Sequence, residues 1–157
     1  QGKEIDMAVV WQPFCAQAIT EGFGKYPTID HNKSKTIGGH IAVLAVNRGF
    51  MEKNKDAVQR LVVAYVDILK YATGNHDRWA KIYAEKAGLS EAVARESIRI
   101  TKLDAALPLA SIKRISKFLS DNGVLVRDVS GELDQHYNYE FLSKATGKSP
   151  AELGQNQ

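Results

Sequence analysis

The sequence predicts an α/β fold in which a few strands are followed by a mostly helical C-terminal section. Residues 7–11 (Met-Ala-Val-Val-Trp) form a continuous apolar run between Asp6 and Pro13, and such a run is typical of a strand buried on both faces. Residues 14–23 then carry apolar side chains at helical spacing, and residues 40–46 form a second apolar run. A strand, a helix and another strand in succession indicate an α/β arrangement.

The sequence after residue 47 is predicted to be almost entirely helical. Residues 56–73 place apolar side chains at the i, i+3, i+4 and i+7 positions of one helix face. The residues predicted to face inward are Val58, Leu61, Val62, Tyr65, Ile68, Leu69 and Ala72. A helical turn is predicted at 48–52, and further helices are predicted at 75–88, 90–101, 108–123 and 139–145. The ends of these segments carry Asn, Ser, Pro or Gly, which are helix start and stop signals.

The composition is that of an ordinary globular domain and gives no sign of a nucleic-acid surface. Of the 157 residues, 44% are hydrophobic and 25% are charged, which argues against disorder, collagen and coiled coil. The 21 Lys and Arg residues and the 18 Asp and Glu residues leave a formal charge of +3, dispersed along the chain. Because nucleic-acid binding normally needs a clustered basic surface, we predict no nucleic-acid partner.

The sequence lacks the patterns of the common catalytic and metal sites. Cys15 is the only cysteine, so it can form neither an internal disulfide nor a cysteine-based zinc site. His31, His76 and His136 show no ligand spacing, and there is neither a Gly-x-Ser-x-Gly elbow nor a phosphate-binding glycine loop. We therefore predict that the chain is not an enzyme and that it holds no metal and no cofactor.

Three segments together resemble one family of transport proteins. They are Gly2-Lys3-Glu4-Ile5-Asp6-Met7-Ala8 followed by Trp11-Gln12-Pro13, residues 43–54 followed by a long amphipathic helix, and residues 118–125 followed by 134–142. In this order and spacing they are similar to the C-terminal half of solute-binding proteins of bacterial ABC importers for nitrate, sulfonates and taurine. The polar start also runs directly into an apolar segment, so we expect residue 1 to be an internal position of a longer protein.

The resemblance implies a two-lobed periplasmic-binding-protein fold of type II. Residues 1–36 would end the second lobe, and residues 37–157 would provide a hinge crossing and the helical part of the first lobe. Such a protein captures a small organic anion or zwitterion between its lobes and delivers it to an ABC transporter permease. The implied partners are therefore the ligand, the permease and a missing N-terminal half of the same protein. The implied location is the periplasm, or the outer face of the membrane through a lipid anchor.

Trp11 and Gln12 are the first candidate ligand-binding residues. They follow the first predicted strand, and in open α/β sheets ligands bind beyond the carboxyl ends of strands. Trp11 offers an aromatic face, and Gln12 offers both a donor and an acceptor. The resembling family often has an acidic residue where this chain has Gln12, which disfavours a cationic ligand group here. The alternative interpretation is that Trp11 belongs to the core and that Gln12 is a turn residue.

Gly38, Gly39 and His40 are the second candidate group, just before the second predicted strand. Paired glycines let backbone N–H groups approach an anion closely, and His40 could add a donor. The alternative interpretation is a plain hinge, because glycines absorb changes of backbone dihedral angle at a crossing. The two interpretations are compatible with each other.

Two other functions are consistent with the sequence. One is a ligand-sensing effector domain of a transcription regulator, which a helix-turn-helix upstream of residue 1 would indicate. A secretory or lipoprotein signal in that position would instead indicate transport. The other is a self-standing helical interaction domain, for which we expect the chain to unfold cooperatively on its own.

Overall fold

The structure is a computed structural model that describes residues 5–27 and 42–156. Over these residues it contains seven α-helices and one 3₁₀ helix. The α-helices are α1 (Phe14–Thr20), α2 (Arg48–Lys53), α3 (Lys55–Gly74), α4 (His76–Ala87), α5 (Glu91–Arg99), α6 (Leu109–Asp121) and α7 (Glu140–Thr146). The 3₁₀ helix covers Ser130–His136. None of these helices is both long and apolar enough to cross a membrane.

The prediction of an α/β fold is wrong, because residues 5–27 and 42–156 contain no β-strand. Residues 7–11 are irregular, and Val9 is 99% exposed. Residues 42–46 of the second predicted strand are also irregular and exposed, and the first two residues of that segment lie outside the described ranges. A strand needs a neighbour to complete its hydrogen bonds, and an apolar run carries no information about that neighbour. The type II periplasmic-binding-protein architecture was part of this fold prediction and is wrong for the same reason.

The helix predictions are confirmed in position. Ser90 caps α5, its side-chain oxygen accepting a hydrogen bond from the Val93 N–H at 3.3 Å. Gly88 and Gly147 end α4 and α7 in the left-handed conformation, which glycine adopts without steric cost. The helical turn predicted at residues 48–52 is α2. Helix start and stop residues thus predicted the secondary structure better than the apolar runs did.

The chain divides into two compact units, each made of two stretches of sequence. Unit 1 comprises Gln1–Thr28 and Tyr71–Leu103, and unit 2 comprises Ile29–Lys70 and Asp104–Gln157. The domain boundary predicted between residues 36 and 37 lies outside the described residues and stays a prediction.

Unit 1 is built on α1, α4 and α5, with α5 packed against both of the others. Each helix contributes a fully buried alanine: Ala16 from α1, Ala80 from α4 and Ala94 from α5. Because alanine has the smallest side chain of the good helix formers, these positions let the helix backbones approach closely. The polar residues of the candidate site belong to this unit.

Unit 2 has a small apolar core that is bordered by hydrogen bonds to backbone groups. Val66, Tyr139, Leu142 and Leu153 are buried against one another. The Tyr139 hydroxyl donates to the Leu107 carbonyl oxygen at 2.6 Å, and the Leu107 N–H donates to the Leu153 carbonyl oxygen at 2.7 Å. The segment around Leu153 therefore belongs to the core of this unit.

The inward face predicted for α3 is confirmed in part. Val58 and Ala72 are buried as predicted, and Leu61 and Ile68 are exposed. The apolar stripe on α3 is wider than the surface that the described residues cover. Periodicity alone cannot show which edge of such a stripe is buried.

We expect Gly154→Ala to lower the free energy of unfolding by about 1–3 kcal/mol. Gly154 has φ +97°, and an added Cβ would lie 3.0 Å from both Pro108 Cα and Pro108 N, so backbone atoms would have to move. Urea unfolding followed by circular dichroism measures the change. Gly131→Ala is the matched control, because a Cβ there meets open space. Equal losses of stability in both variants would contradict the close approach of Gly154 to Pro108.

Candidate functional site

Gln12 joins two helices of unit 1 through its side-chain oxygen. The Gln12 Oε1 accepts hydrogen bonds from the Ala16 N–H at 3.1 Å and from the Ser97 hydroxyl at 3.2 Å. Ala16 lies in the first turn of α1, where N–H groups have no partner within the helix, and Ser97 is only 2% exposed. The predicted site residue Gln12 therefore also has a structural role, as the turn interpretation expected.

Of the other predicted site residues, Trp11 alone lies within the described residues. Trp11 is adjacent to Gln12 in sequence, and its side chain is 70% exposed, so the interpretation of Trp11 as a core residue is wrong. Gly38, Gly39 and His40 lie outside the described residues, and their predicted role stays a prediction.

A second polar group, formed by Tyr26, Glu96 and Arg99, lies beside Gln12. Arg99 donates from Nε to Glu96 Oε2 at 2.8 Å and from a terminal nitrogen to Oε1 at 2.7 Å, the paired geometry that guanidinium and carboxylate groups favour. The Arg99 Cζ also lies 5.7 Å from the centre of the Tyr26 ring, within range of a cation–π contact. The arrangement holds one positive charge and one negative charge against an aromatic ring.

The pKa values of this group show which of its members are charged. Burial, and then the neighbouring Glu96 carboxylate, raise the pKa of Tyr26 to about 12, and Gln12 opposes this rise. The Arg99 guanidinium holds the pKa of Glu96 below its usual value. The Tyr26 hydroxyl oxygen is buried next to Glu96 and Gln12, yet it makes no hydrogen bond of standard geometry within the described ranges. Tyr26 is thus held neutral and Glu96 charged.

A recess of about 200 Å³ opens next to the Gln12–Ser97 hydrogen bond. It is lined by Gln12, Trp79, Tyr83, Ser97, Ile98 and Thr101, all of unit 1. Trp79 and Tyr83 are half-buried and one helical turn apart on α4. The Thr101 hydroxyl donates to the Ser97 carbonyl oxygen at 2.7 Å. None of the lining side chains is charged.

Comparison with known proteins gives one weak similarity. No protein-family model and no solved structure matches the chain. The chain is 24% identical over 151 residues to 2'-hydroxybiphenyl-2-sulfinate desulfinases of Rhodococcus erythropolis and Rhodococcus qingshengii. The alignment covers 92% of this chain and 40% of each desulfinase, so the chain spans about two fifths of the length of the curated relatives that it matches. These relatives are enzymes, and they give no support to the prediction that the chain is not one.

Sequence reasoning missed most residues of this site. None of Tyr26, Trp79, Tyr83, Glu96 and Ser97 is among the predicted site residues. The spacing of Glu96 and Arg99 by three positions is a local signal for their ion pair. The approach of Tyr26 to Glu96 spans 70 positions and has no local signal.

No metal-binding group is found in the part of the chain that the structure describes. No three His, Cys, Asp or Glu side chains within it are placed to share an ion. The only cysteine, Cys15, is half-buried in α1 and forms no disulfide.

We expect Tyr26→Phe to weaken the loss of stability at alkaline pH. The pKa of Tyr26 is raised from 10.0 to about 12 in the folded chain, so ionisation favours the unfolded state. The resulting stabilisation is present below pH 10 and is lost as the pH rises towards 12. The phenylalanine variant cannot ionise there, so its free energy of unfolding should fall less steeply between these pH values in urea titrations.

Some alkaline loss should remain in the Tyr26→Phe variant, because burial also raises the pKa of Tyr137 and Tyr139. Tyr71→Phe is the matched control, since the Tyr71 side chain is exposed. If the two variants show the same pH dependence, the buried state assigned to Tyr26 is wrong.

Proposed function

We propose that the chain is part of the solute-binding component of an ABC importer and that it captures a small organic sulfur oxyanion, a sulfonate or a sulfinate. The observation that carries the proposal is the recess beside Gln12, whose lining has hydrogen-bonding and aromatic groups and no charged side chain. Ligand sites are commonly apolar recesses with a few polar groups that fix the orientation of the ligand. Such a lining favours binding over catalysis.

Two similarities support the ligand class. The sequence resembles proteins that bind sulfonates and taurine, and it is similar to desulfinases whose name specifies a sulfinate. Sulfonates and sulfinates both carry anionic oxygens on a sulfur bonded to carbon, and these oxygens accept hydrogen bonds. Trp79 and Tyr83 line the recess, and their indole N–H and hydroxyl groups are hydrogen-bond donors for such oxygens.

The rest of the binding site, in this proposal, comes from other parts of a longer protein. A volume of about 200 Å³ is below the roughly 300–1,000 Å³ of a complete ligand pocket. Ile5, Met7, Val9, Trp11 and Phe14 are all exposed apolar side chains, and a surface of this kind normally packs against something. We propose that it packs against the N-terminal half of the same protein, and that the complete protein delivers its ligand to a permease on the outer side of the membrane.

A second candidate function is catalysis on a sulfinate. It is favoured by the match of 92% of the chain to desulfinases. In a desulfination with water, the carbon–sulfur bond breaks, a proton from water takes the place of sulfur on carbon, and sulfite leaves with the water oxygen. The recess lining contains no carboxylate, imidazole or thiol, so the proton-transfer groups would have to come from outside it.

Calorimetric titration of the complete gene product tests the proposal, with taurine, methanesulfonate, benzenesulfonate and benzenesulfinate as probes. We expect saturable binding of at least one of them and no release of sulfite from benzenesulfinate. Release of sulfite would establish the second candidate instead. If none of the four probes binds, the proposed ligand class is wrong.

The variant Tyr83→Phe links the binding to the recess. Loss of one donor to a charged oxygen should weaken binding by about tenfold or more. Tyr71→Phe removes the same atom from an exposed tyrosine of the same unit and should leave binding unchanged. Equal affinities for the two variants would show that the ligand does not use the recess.

A further inference from the structure

We infer that the recess beside Gln12 takes an uncharged aromatic ring, so that the preferred ligand is an aryl rather than an alkyl compound. The inference deepens the proposed function and rests on it for the anionic end of the ligand. The aromatic end of the ligand is inferred from the lining of the recess.

The walls of the recess favour a flat ring. Trp79 and Tyr83 stand on the same face of α4, since residues four apart are neighbours on a helix. Both side chains are half-buried and line the recess with Ile98. Offset or edge-to-face contacts stabilise aromatic rings beyond the effect of the area that they bury. A saturated ring or an alkyl chain of the same size lacks this stabilisation.

The hydroxyl groups of Ser97 and Thr101 in the recess lining do not require a polar ligand. The Ser97 hydroxyl already donates to Gln12 Oε1, and the Thr101 hydroxyl already donates to the Ser97 carbonyl oxygen. An apolar group can therefore cover these atoms without leaving a buried donor unpaired, which would be unfavourable.

Because no side chain in the lining is charged, the ring and the oxyanion of the ligand bind in different places. The nearby Arg99 is engaged by Glu96 through two hydrogen bonds and does not line the recess. An anionic group inside would therefore be desolvated without a counter-charge, which is costly. The ring enters the recess, and the oxyanion remains at its open side.

The size of the recess fits one substituted ring. The recess of about 200 Å³ is smaller than the roughly 300–1,000 Å³ pockets that take drug-sized ligands, which favours a single substituted ring. Two linked rings would extend beyond it.

Fluorescence of Trp79 provides the test. The chain has two tryptophans, Trp11 and Trp79, so the Trp11→Phe variant of the 157-residue chain reports from the recess alone. Phenol and cyclohexanol are the neutral probes of similar size, and circular dichroism verifies that each variant is folded. We expect a saturable change with phenol and at least a fivefold weaker effect with cyclohexanol. Equal responses to the two would overturn the inference.

A blocking variant completes the test. Thr101→Phe, made in the Trp11→Phe background, should fill the mouth of the recess and weaken phenol binding at least tenfold. Thr20→Phe is the matched control, because Thr20 is also an exposed threonine of unit 1 whose hydroxyl donates to a backbone carbonyl of its own helix. Phenol binding that survives Thr101→Phe would place the ring elsewhere and overturn the inference.

Sulfonate probes separate this inference from the proposed function. If methanesulfonate and benzenesulfonate bind the complete gene product equally well, the proposed function stands and the aryl preference is wrong. If phenol binds Trp79 and no sulfonate or sulfinate binds, the aryl recess stands and the proposed function is wrong.

Discussion

Replacement of Leu142 by alanine is expected to lower the free energy of unfolding by about 2–5 kcal/mol. Leu142 lies on α7 and is buried against Val66, Tyr139 and Leu153 in the core of unit 2. Truncation removes the transfer free energy of the leucine side chain and leaves a cavity that the neighbouring hydrogen bonds hinder from collapsing. The Tyr139–Leu107 hydrogen bond of 2.6 Å is one of these constraints.

The control for Leu142 is Leu61→Ala on α3. Leu61 is 53% exposed, so its truncation should change the free energy of unfolding by about 0.5 kcal/mol or less. Urea unfolding followed by far-ultraviolet circular dichroism compares the two variants. A larger loss for Leu61 than for Leu142 would mean that α3 buries the opposite face.

Replacement of Gln12 by leucine is expected to cost about 1–3 kcal/mol of stability. Its Oε1 accepts from both the Ala16 N–H and the Ser97 hydroxyl. Leucine has a similar volume and cannot accept, so a helix N–H in the first turn of α1 and a buried hydroxyl on α5 would both lose their partner. Chemical unfolding of the variant measures the loss.

A double-mutant cycle with Ser97→Ala isolates the hydrogen bond between α1 and α5. Ser97→Ala should cost less in the Gln12→Leu background than in the original chain, because the hydroxyl is already unpaired there. Gln17→Leu is the control, since the Gln17 side chain on α1 makes an exposed hydrogen bond to Glu21. Purely additive losses at Gln12 and Ser97 would contradict the contact.

The parts of the structure that were predictable are those with a local cause. Ser90, Gly88 and Gly147 marked helix ends because their capping geometry involves only residues within one turn. The strand prediction at residues 7–11 failed because a strand depends on a neighbour that the run itself does not encode. Similar apolar runs are compatible with several structures.

The candidate site was predictable only at Gln12. That residue drew attention by following an apolar run and preceding a proline, and the structure places it beside the recess. Its partner Ser97 is 85 positions away, and Tyr26 meets Glu96 across a comparable separation. Contacts of this kind arise from the packing of α1 on α5, and no spacing rule in a single sequence reports them.

The division of the chain has a genetic consequence. Each unit is encoded by two separate stretches, with Tyr71–Leu103 of unit 1 placed between the two stretches of unit 2. A single recombination point between the stretches therefore cannot exchange one unit and leave the other whole, as it can when domains are contiguous in a gene. Inheritance should keep the two units together, and a chimera that preserves either of them needs matched breakpoints near residues 28, 70 and 103.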